Sequence, residues 1–228
     1  MKSSPPARLT ARMTAEFLGT GFLVAAVVGS GIMGERLAGG NVAIALLANT
    51  IATGAALLAL ILTFGPISGA HLNPAVTLAD AIERGIPWSE AAAYVFAQCI
   101  GGIAGAIIAH LMFGLRWYSL SSHSRHGWPL MLSEFVATFG LMSVIWGCSR
   151  SHPRAVPFAV ASYITAAYWF TASTSFANPA VTIARSLSDT FAGIRPYDVP
   201  PFIAAQIAGA LSATLLFRWL APASARQQ

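Results

Sequence analysis

Apolar and polar positions alternate along this chain on a long scale. Apolar runs of about 14 to 25 residues are separated by short polar breaks. Most of these runs are long enough to cross a bilayer as helices. They fall at about Leu9–Met33, Asn41–Phe64, Glu90–Phe113, Leu130–Cys148, Pro157–Phe170 and Val199–Leu220. The fifth is short unless it starts nearer Pro153. Gly65–Leu72 reads as a loop, and Arg116–Trp128 is the one long hydrophilic connector.

Two shorter segments interrupt this pattern. Ser68–Ile82 reads SGAHLNPAVTLADAI and Ser173–Leu187 reads STSFANPAVTIARSL, so N-P-A-V-T occurs at Asn73–Thr77 and at Asn178–Thr182. Each copy reads as a helix start: Asn caps, Pro suits the first turn and Ala propagates. The predicted half-helices span Asn73 to about Ile82 and Asn178 to about Leu187. Each start presents free N–H groups and the positive end of a helix dipole. The preceding apolar runs place both starts at membrane depth, where irregular backbone survives only inside protein or along a wet cavity.

The internal repeat extends beyond the motifs. Glu16 in AEFLGTG matches Glu134 in SEFVATFG, and Gln98 in FAQCIGG matches Gln206 in AAQIAGA. Each repeat has three spans and a half-helix, and an odd number of spans makes the second copy inverted. The half-helices then enter from opposite faces and meet N-terminus to N-terminus, near the midplane. The expected organisation is a single domain, 1–228, with repeat one at about 9–115, a connector at about 116–129 and repeat two at about 130–221.

Composition places the chain in a class. Of 228 residues, 56% are hydrophobic and 9% charged, against roughly 25% charged in soluble domains. This is an integral membrane protein, with the lipid bilayer as its first partner. The net charge of +5 needs no nucleic acid to explain it, since loop placement accounts for it. Lys2, Arg8, Arg12, Arg84, Arg150, Arg154, Arg218 and Arg226 fall on one side; Arg36, Arg116, Arg125, Arg185 and Arg195 fall on the other. Eight against five favours cytoplasmic termini. The polar leader MKSSPPAR shows no cleavage site after the first apolar run, which reads as a retained helix. Cys99 and Cys148 have neither metal-site nor disulfide-framework spacing and read as buried small hydrophobes.

Several side chains could carry chemistry. Asn73 and Asn178 can each offer amide N–H groups to a passing oxygen, or simply cap their helices. With the two dipoles, they favour neutral solutes and repel cations at the midplane. Glu16 and Glu134 are carboxyls inside spans, readable as a proton relay or as anchors for the re-entrant loops. Their symmetric placement favours anchors, and Gln98 and Gln206 read the same way. His71 could line a pore or anchor its loop. His123 and His126 form an H-x-x-H in the connector, which reads as solvated loop. No catalytic constellation, metal site, cofactor motif or P-loop is present.

The paired Asn-Pro-Ala motifs, Asn73–Ala75 and Asn178–Ala180, resemble the signature of the aquaporins, the major intrinsic proteins. The likeness covers nearly the whole chain. It implies an all-α membrane fold, an aquaporin-like bundle of six transmembrane helices plus two re-entrant half-helices, and a homotetramer with one pore per protomer. One departure stands out. Three residues after Asn178 the family usually has an arginine, the charged member of its outer constriction; here the position is Val181. The next position, an aspartate in typical glycerol facilitators, is Thr182. Carried over by distance from the motifs, the constriction is Thr53, Ala166, Ser175 and Val181: wide, uncharged and partly apolar.

Arg185 lies one helical turn beyond Val181, and Asp80 lies one turn beyond Val76 in the first copy. They read equally as pore-lining charges at the outer and inner mouths or as interfacial charges at helix ends. The missing arginine, with NPAVTIARSLSDTFAGI, resembles the bacterial branch associated with arsenic resistance. That likeness implies a bacterial inner membrane and passive, bidirectional passage of water, glycerol-sized polyols, arsenous acid and related arsenicals. A general glycerol or water channel is the alternative within the class; a membrane enzyme or proton-coupled transporter is the alternative outside it.

Overall fold

The structure is a computed structural model that describes residues 7–221. Lys2 and Arg226, counted above in the side assignment, lie outside the described residues. Among the described residues eight α-helices follow one another: α1 Leu9–Leu37, α2 Val42–Ser68, α3 Pro74–Ile82, α4 Trp88–Met112, α5 Trp128–Ser151, α6 Val156–Phe170, α7 Pro179–Arg185 and α8 Val199–Leu220. Among the described residues, five of them (α1, α2, α4, α5 and α8) are long and apolar enough to cross a membrane. The sixth long helix, α6, has 15 residues, about 22 Å of rise, and is preceded by the 3-10 turn Pro153–Ala155.

Two boundaries differ from those read in the sequence. The segment from Gly65 is not yet loop, because α2 continues through Pro66 to Ser68. Proline removes one N–H, and near the last turn that costs a single hydrogen bond. The stop is Gly69, left-handed at φ 88°, whose N–H closes on the Gly65 carbonyl. At the other motif, α7 ends at Arg185 rather than Leu187. The carbonyls of Ser186 and Leu187 accept N–H groups from Ser121 and Ser119 of the connector, so the chain is drawn out of the helix there. The cysteines also differ: Cys99 and Cys148 are free and half-buried rather than buried, because one face of each bounding helix looks outward.

Packing repeats with the sequence. Helix α1 packs on α2 and α4 as α5 packs on α6 and α8; α3 touches α4 and α8 as α7 touches α8 and α4. The closest crossings use equivalent glycines. A Cβ on Gly101 would lie 2.2 Å from the Phe17 carbonyl oxygen, and one on Gly209 would lie 2.4 Å from that of Phe135. Small residues at such contacts let backbones approach without side chains between them. Gly209→Ala is therefore expected to destabilise the protein by about 1–3 kcal/mol. Gly65→Ala, with open space at its Cβ, should be neutral or slightly stabilising. Thermal unfolding in detergent checks the pair.

The outward faces are apolar, with Ile44, Leu47, Ile51 and Leu62 of α2 exposed. Trp88, Trp128 and Trp219 stand exposed at or near helix ends, as expected of residues at the membrane–water boundary. Residues assigned to one side also meet there: Arg12 pairs with Glu90 at 2.8 Å, and Arg150 and Arg218 both reach Glu83.

Candidate functional site

The two re-entrant loops are built by the same local rule. Asn73 caps α3 by accepting the Ala75 N–H at 2.9 Å. Asn178 caps α7 by accepting those of Ala180 at 3.0 Å and Val181 at 3.3 Å. Pro74 and Pro179 occupy the first helical positions. Just before each motif the backbone turns left-handed at equivalent non-glycine residues: Ala70 and Leu72 at φ 47° and 50°, Ser175 and Ala177 at φ 48° and 48°. Such residues cost on the order of 1–3 kcal/mol each and need strong support from their surroundings.

That support comes from the buried carboxylates. Glu16 accepts the N–H groups of His71 (3.0 Å) and Leu72 (2.7 Å), the Ser68 hydroxyl (2.6 Å) and the Gln98 amide (2.7 Å). Glu134 accepts the N–H groups of Phe176 and Ala177, both at 2.9 Å, and the Gln206 amide at 2.6 Å. Gln98 and Gln206 donate onward to Thr77 and Thr182, each at 2.9 Å. Both carboxylates are completely buried. The geometry is that of anchors holding strained loops.

The loops then lock to each other. The Asn73 amide donates to the Ala177 carbonyl at 2.7 Å, and the Asn178 amide to the Leu72 carbonyl at 2.7 Å. The motifs thus meet end to end, as the inverted repeat predicts. Each amide has two N–H groups, and one of them is spent on the lock. Asn73→Asp or Asn178→Asp would set a carboxylate against that carbonyl and remove both donors. Neutral-solute flux is expected to fall by about tenfold or more, the effect of losing a hydrogen bond worth about 1.4 kcal/mol. Normal flux in both variants, measured on well-folded protein, would mean that solutes do not pass between the motifs.

One cavity of about 790 Å³ runs past this junction. Asp80, Arg84 and Arg150 line one end and Arg185 the other, with Asn73, Val76, Asn178 and Val181 along it. Apolar walls come from Leu23, Val27, Leu57, Ile61 and Leu141, among others. The cavity lies between the paired half-helices, and likeness to known proteins identifies its kind. A profile described as Major intrinsic protein matches residues 6–157. The chain is 56% identical to the aquaglyceroporin AqpS of Rhizobium meliloti, over 93% of this chain and 91% of that one.

The chain belongs to the major intrinsic protein family. It is also 32% identical to the aquaporin AqpM of Methanothermobacter marburgensis, over 93% of this chain and 98% of that protein. The fold matches the X-ray structure of the aquaglyceroporin from Plasmodium falciparum, with a TM-score of 0.76, covering 94% and 98% of the two chains at 18% identity. Members of this family are channels, so the protein is a membrane channel and not an enzyme.

Of the four constriction positions carried over from the major intrinsic proteins, Thr53, Ser175 and Val181 line the cavity and Ala166 does not. Ala166 faces outward on α6 and is exposed, so that assignment is corrected. Tyr168 lines the cavity instead, and its hydroxyl reaches the Thr53 hydroxyl at 3.4 Å. The count slipped by two because the irregular chain between α6 and Asn178 has no fixed rise. The signal was present in the i, i+4 row Val160, Ile164, Tyr168, all three of which face the cavity.

His71, Val76, Asp80 and Arg185 all line the cavity. His71 does so while anchoring its loop: its ring lies 3.1 Å from the Thr77 hydroxyl and 3.6 Å from the Asp80 carboxylate. Arg185 is buried at 2% exposure, with its guanidinium carbon 3.4 Å from the Phe176 ring centroid. That is not the place of a charge solvating a helix end. Its support carries no local sequence signal: Arg185 Nε donates to the Ala192 carbonyl, well past the end of α7.

The connector is more than a solvated link. Arg125 donates to the carbonyls of Gly193 (2.7 Å) and Ser173 (3.3 Å), and its own N–H meets Asp198 at 2.7 Å. His123 and His126 are exposed, with His126 beside Ser124 at 2.7 Å. Among the described residues no group of His, Cys, Asp and Glu is arranged to hold a metal.

Proposed function

We propose that this channel passes small uncharged solutes passively and in both directions, among them arsenous acid, related arsenicals and glycerol-sized polyols. The observation that carries this reading is the wall around Val181. Thr53, Ser175 and Val181 put small side chains at the outer part of the cavity, with Tyr168 the one large member of the set, and the uncharged Val181 stands where the family resemblance leads one to expect an arginine. Arsenous acid is a neutral triol comparable to glycerol, so a filter wide enough for one admits the other. The name aquaglyceroporin, carried by the Rhizobium meliloti relative, supports polyols as part of the range. In this reading Asn73 and Asn178 donate to passing oxygens, and Thr53, Tyr168, Ser175 and Val181 set the size limit. The protein works as a homotetramer of single channel domains in a bacterial inner membrane, with cytoplasmic termini.

Light-scattering permeability of proteoliposomes tests it. Glycerol, urea and arsenous acid should all enter faster than in empty liposomes, with no dependence on an imposed proton gradient. Water passage alone would favour a plain water channel, and uptake that follows the proton gradient would favour a coupled transporter.

A further inference from the structure

The chain just beyond each half-helix is tied to the end of a long helix of the other repeat, by side chains at equivalent positions. His110 follows Gln98 by twelve residues as Arg218 follows Gln206, and Glu83 follows Asn73 by ten as Ser188 follows Asn178. At the end of the cavity lined by Asp80, Arg218 on α8 pairs with Glu83 beyond α3. At the end lined by Arg185, His110 on α4 meets Ser188 beyond α7, with the ring Nε2 2.8 Å from the hydroxyl oxygen. The first tie is a partly exposed ion pair. The second is buried, with His110 at 1% and Ser188 at 0% exposure. The repeat thus sets a permanent cation at one position and, at its equivalent, a group that ordinarily titrates between about pH 5 and 8.

Neutral His110 is satisfied on both sides. Its Nδ1 lies 3.0 Å from the Arg116 carbonyl; a carbonyl only accepts, so Nδ1 carries the proton and Nε2 takes the Ser188 hydroxyl. The Ser188 oxygen lies in turn 2.9 Å from that of half-buried Thr190. A proton on Nε2 turns that nitrogen into a donor and forces the Ser188 hydroxyl round. It also buries a charge among cations. Arg36 at the end of α1 bonds the Phe113 carbonyl, the connector brings Arg116 and Arg125, and α7 ends in Arg185. Of the acids on these elements, Glu35 is exposed, and Asp189 takes the N–H and hydroxyl of Ser122 at 2.8 and 3.0 Å. Helix α3 also packs on α4, but Asp80 and Glu83 lie at the opposite end of the cavity. A buried charge with no opposite partner is costly. Hydration relieves it, so proton uptake favours the tie opened to water.

The segment that carries Ser188 also holds Arg185 in place. The N–H groups of Ser188 and Ile194 donate to the Arg185 carbonyl at 3.3 and 3.4 Å, and Arg185 Nε donates to the Ala192 carbonyl. We infer that His110 and Ser188 form a proton-sensitive latch on this segment. With His110 neutral the latch is shut and Arg185 stays against the cavity wall. Proton uptake opens it, the segment loosens, and Arg185 moves into the path and slows solutes. The inference rests on the cavity being the permeation path proposed above, and it adds regulation to that path.

Glycerol has no group that titrates in this range, so any pH dependence of its flux belongs to the protein. The full chain is reconstituted in liposomes with the same buffer inside and out, which makes the direction of insertion immaterial. Flux is read by light scattering, with empty liposomes subtracted. From about pH 8 to about pH 5, wild-type flux is expected to fall by about threefold or more, the shift that loss of one buried hydrogen bond gives. It should recover when the buffer is returned to the alkaline end. His110→Gln takes up no proton and should give a flat profile. Ser188→Ala breaks the latch with the ring still neutral, so its flux at the alkaline end should match the wild-type value at the acid end and stay flat. It decides the matter should His110→Gln fail to fold. A flat wild-type profile overturns the latch while leaving the channel reading intact. A slope that persists in either variant also overturns it, because the slope then belongs to another group, such as His71 in the cavity wall. Absence of glycerol flux at every pH overturns the channel reading and the latch with it.

Discussion

Glu16→Ala is expected to cost this protein most of its stability. Four donors converge on that carboxylate: the N–H groups of His71 and Leu72, the Ser68 hydroxyl and the Gln98 amide. Alanine leaves them in a completely buried site, at about 1–3 kcal/mol for each group left unsatisfied. The sum reaches several kcal/mol, against a usual folding margin of about 5–15 kcal/mol. It also loosens the left-handed turns at Ala70 and Leu72, which otherwise keep only the bond of the Ala70 N–H to the Ser68 hydroxyl and that of the Asn178 amide to the Leu72 carbonyl. The thermal midpoint in detergent should fall by roughly 10 °C or more for a chain of this size. Solute flux should fall with it, because the Leu72 carbonyl is the acceptor for Asn178. Glu134 accepts three such bonds rather than four, so Glu134→Ala should do the same to a smaller degree. Unchanged midpoints in both variants, with only a proton-linked flux abolished, would instead establish the relay reading of the pair.

Much of this arrangement can be read before any coordinates. The duplicated N-P-A-V-T, with Glu16 matching Glu134 and Gln98 matching Gln206, prescribes an inverted repeat, because three spans and a half-helix must reverse on repetition. What it leaves open is local and irregular. Pro66 looks like a helix end and is not one, since the cost of proline depends on how many turns remain after it. Leu187 looks helical and is not, since connector serines from a distant part of the chain take the carbonyls of Ser186 and Leu187. Ala166 was placed by counting through irregular backbone, and a two-residue error on a helix turns a side chain through more than half a revolution. For Arg185 the sequence leaves the pore-lining and the interfacial readings equally open. Its burial depends on Phe176 and on the Ala192 carbonyl, and neither contact has a periodic signature.

Val181→Arg should convert the wide outer constriction into a narrow, charged one. Val181 is 5% exposed and lines the cavity on the first turn of α7, so an arginine there projects its donors into the path. The Ser175 hydroxyl is an acceptor within the same wall and has no partner to lose. Against this, the new charge joins Arg185, one turn along the same helix, and Arg125 beside Phe176. A charge at membrane depth needs water or carbonyls around it, and a third cation here meets two others. Some loss of stability is therefore expected, and Arg185→Gln in the same chain should restore part of it by removing the nearer repulsion. In correctly assembled Val181→Arg protein, glycerol and arsenous acid should lose far more permeability than water, because the added side chain takes up cross-section that water needs least. The glycerol-to-water flux ratio is the quantity to measure, since it cancels differences in reconstituted amount. A fall of about tenfold, equivalent to a barrier raised by about 1.4 kcal/mol, is the expected result. A ratio that holds or rises would place the constriction away from Val181, at the Thr53–Tyr168 pair or the motif junction, and the inference from a small residue at 181 to large neutral solutes would then fail.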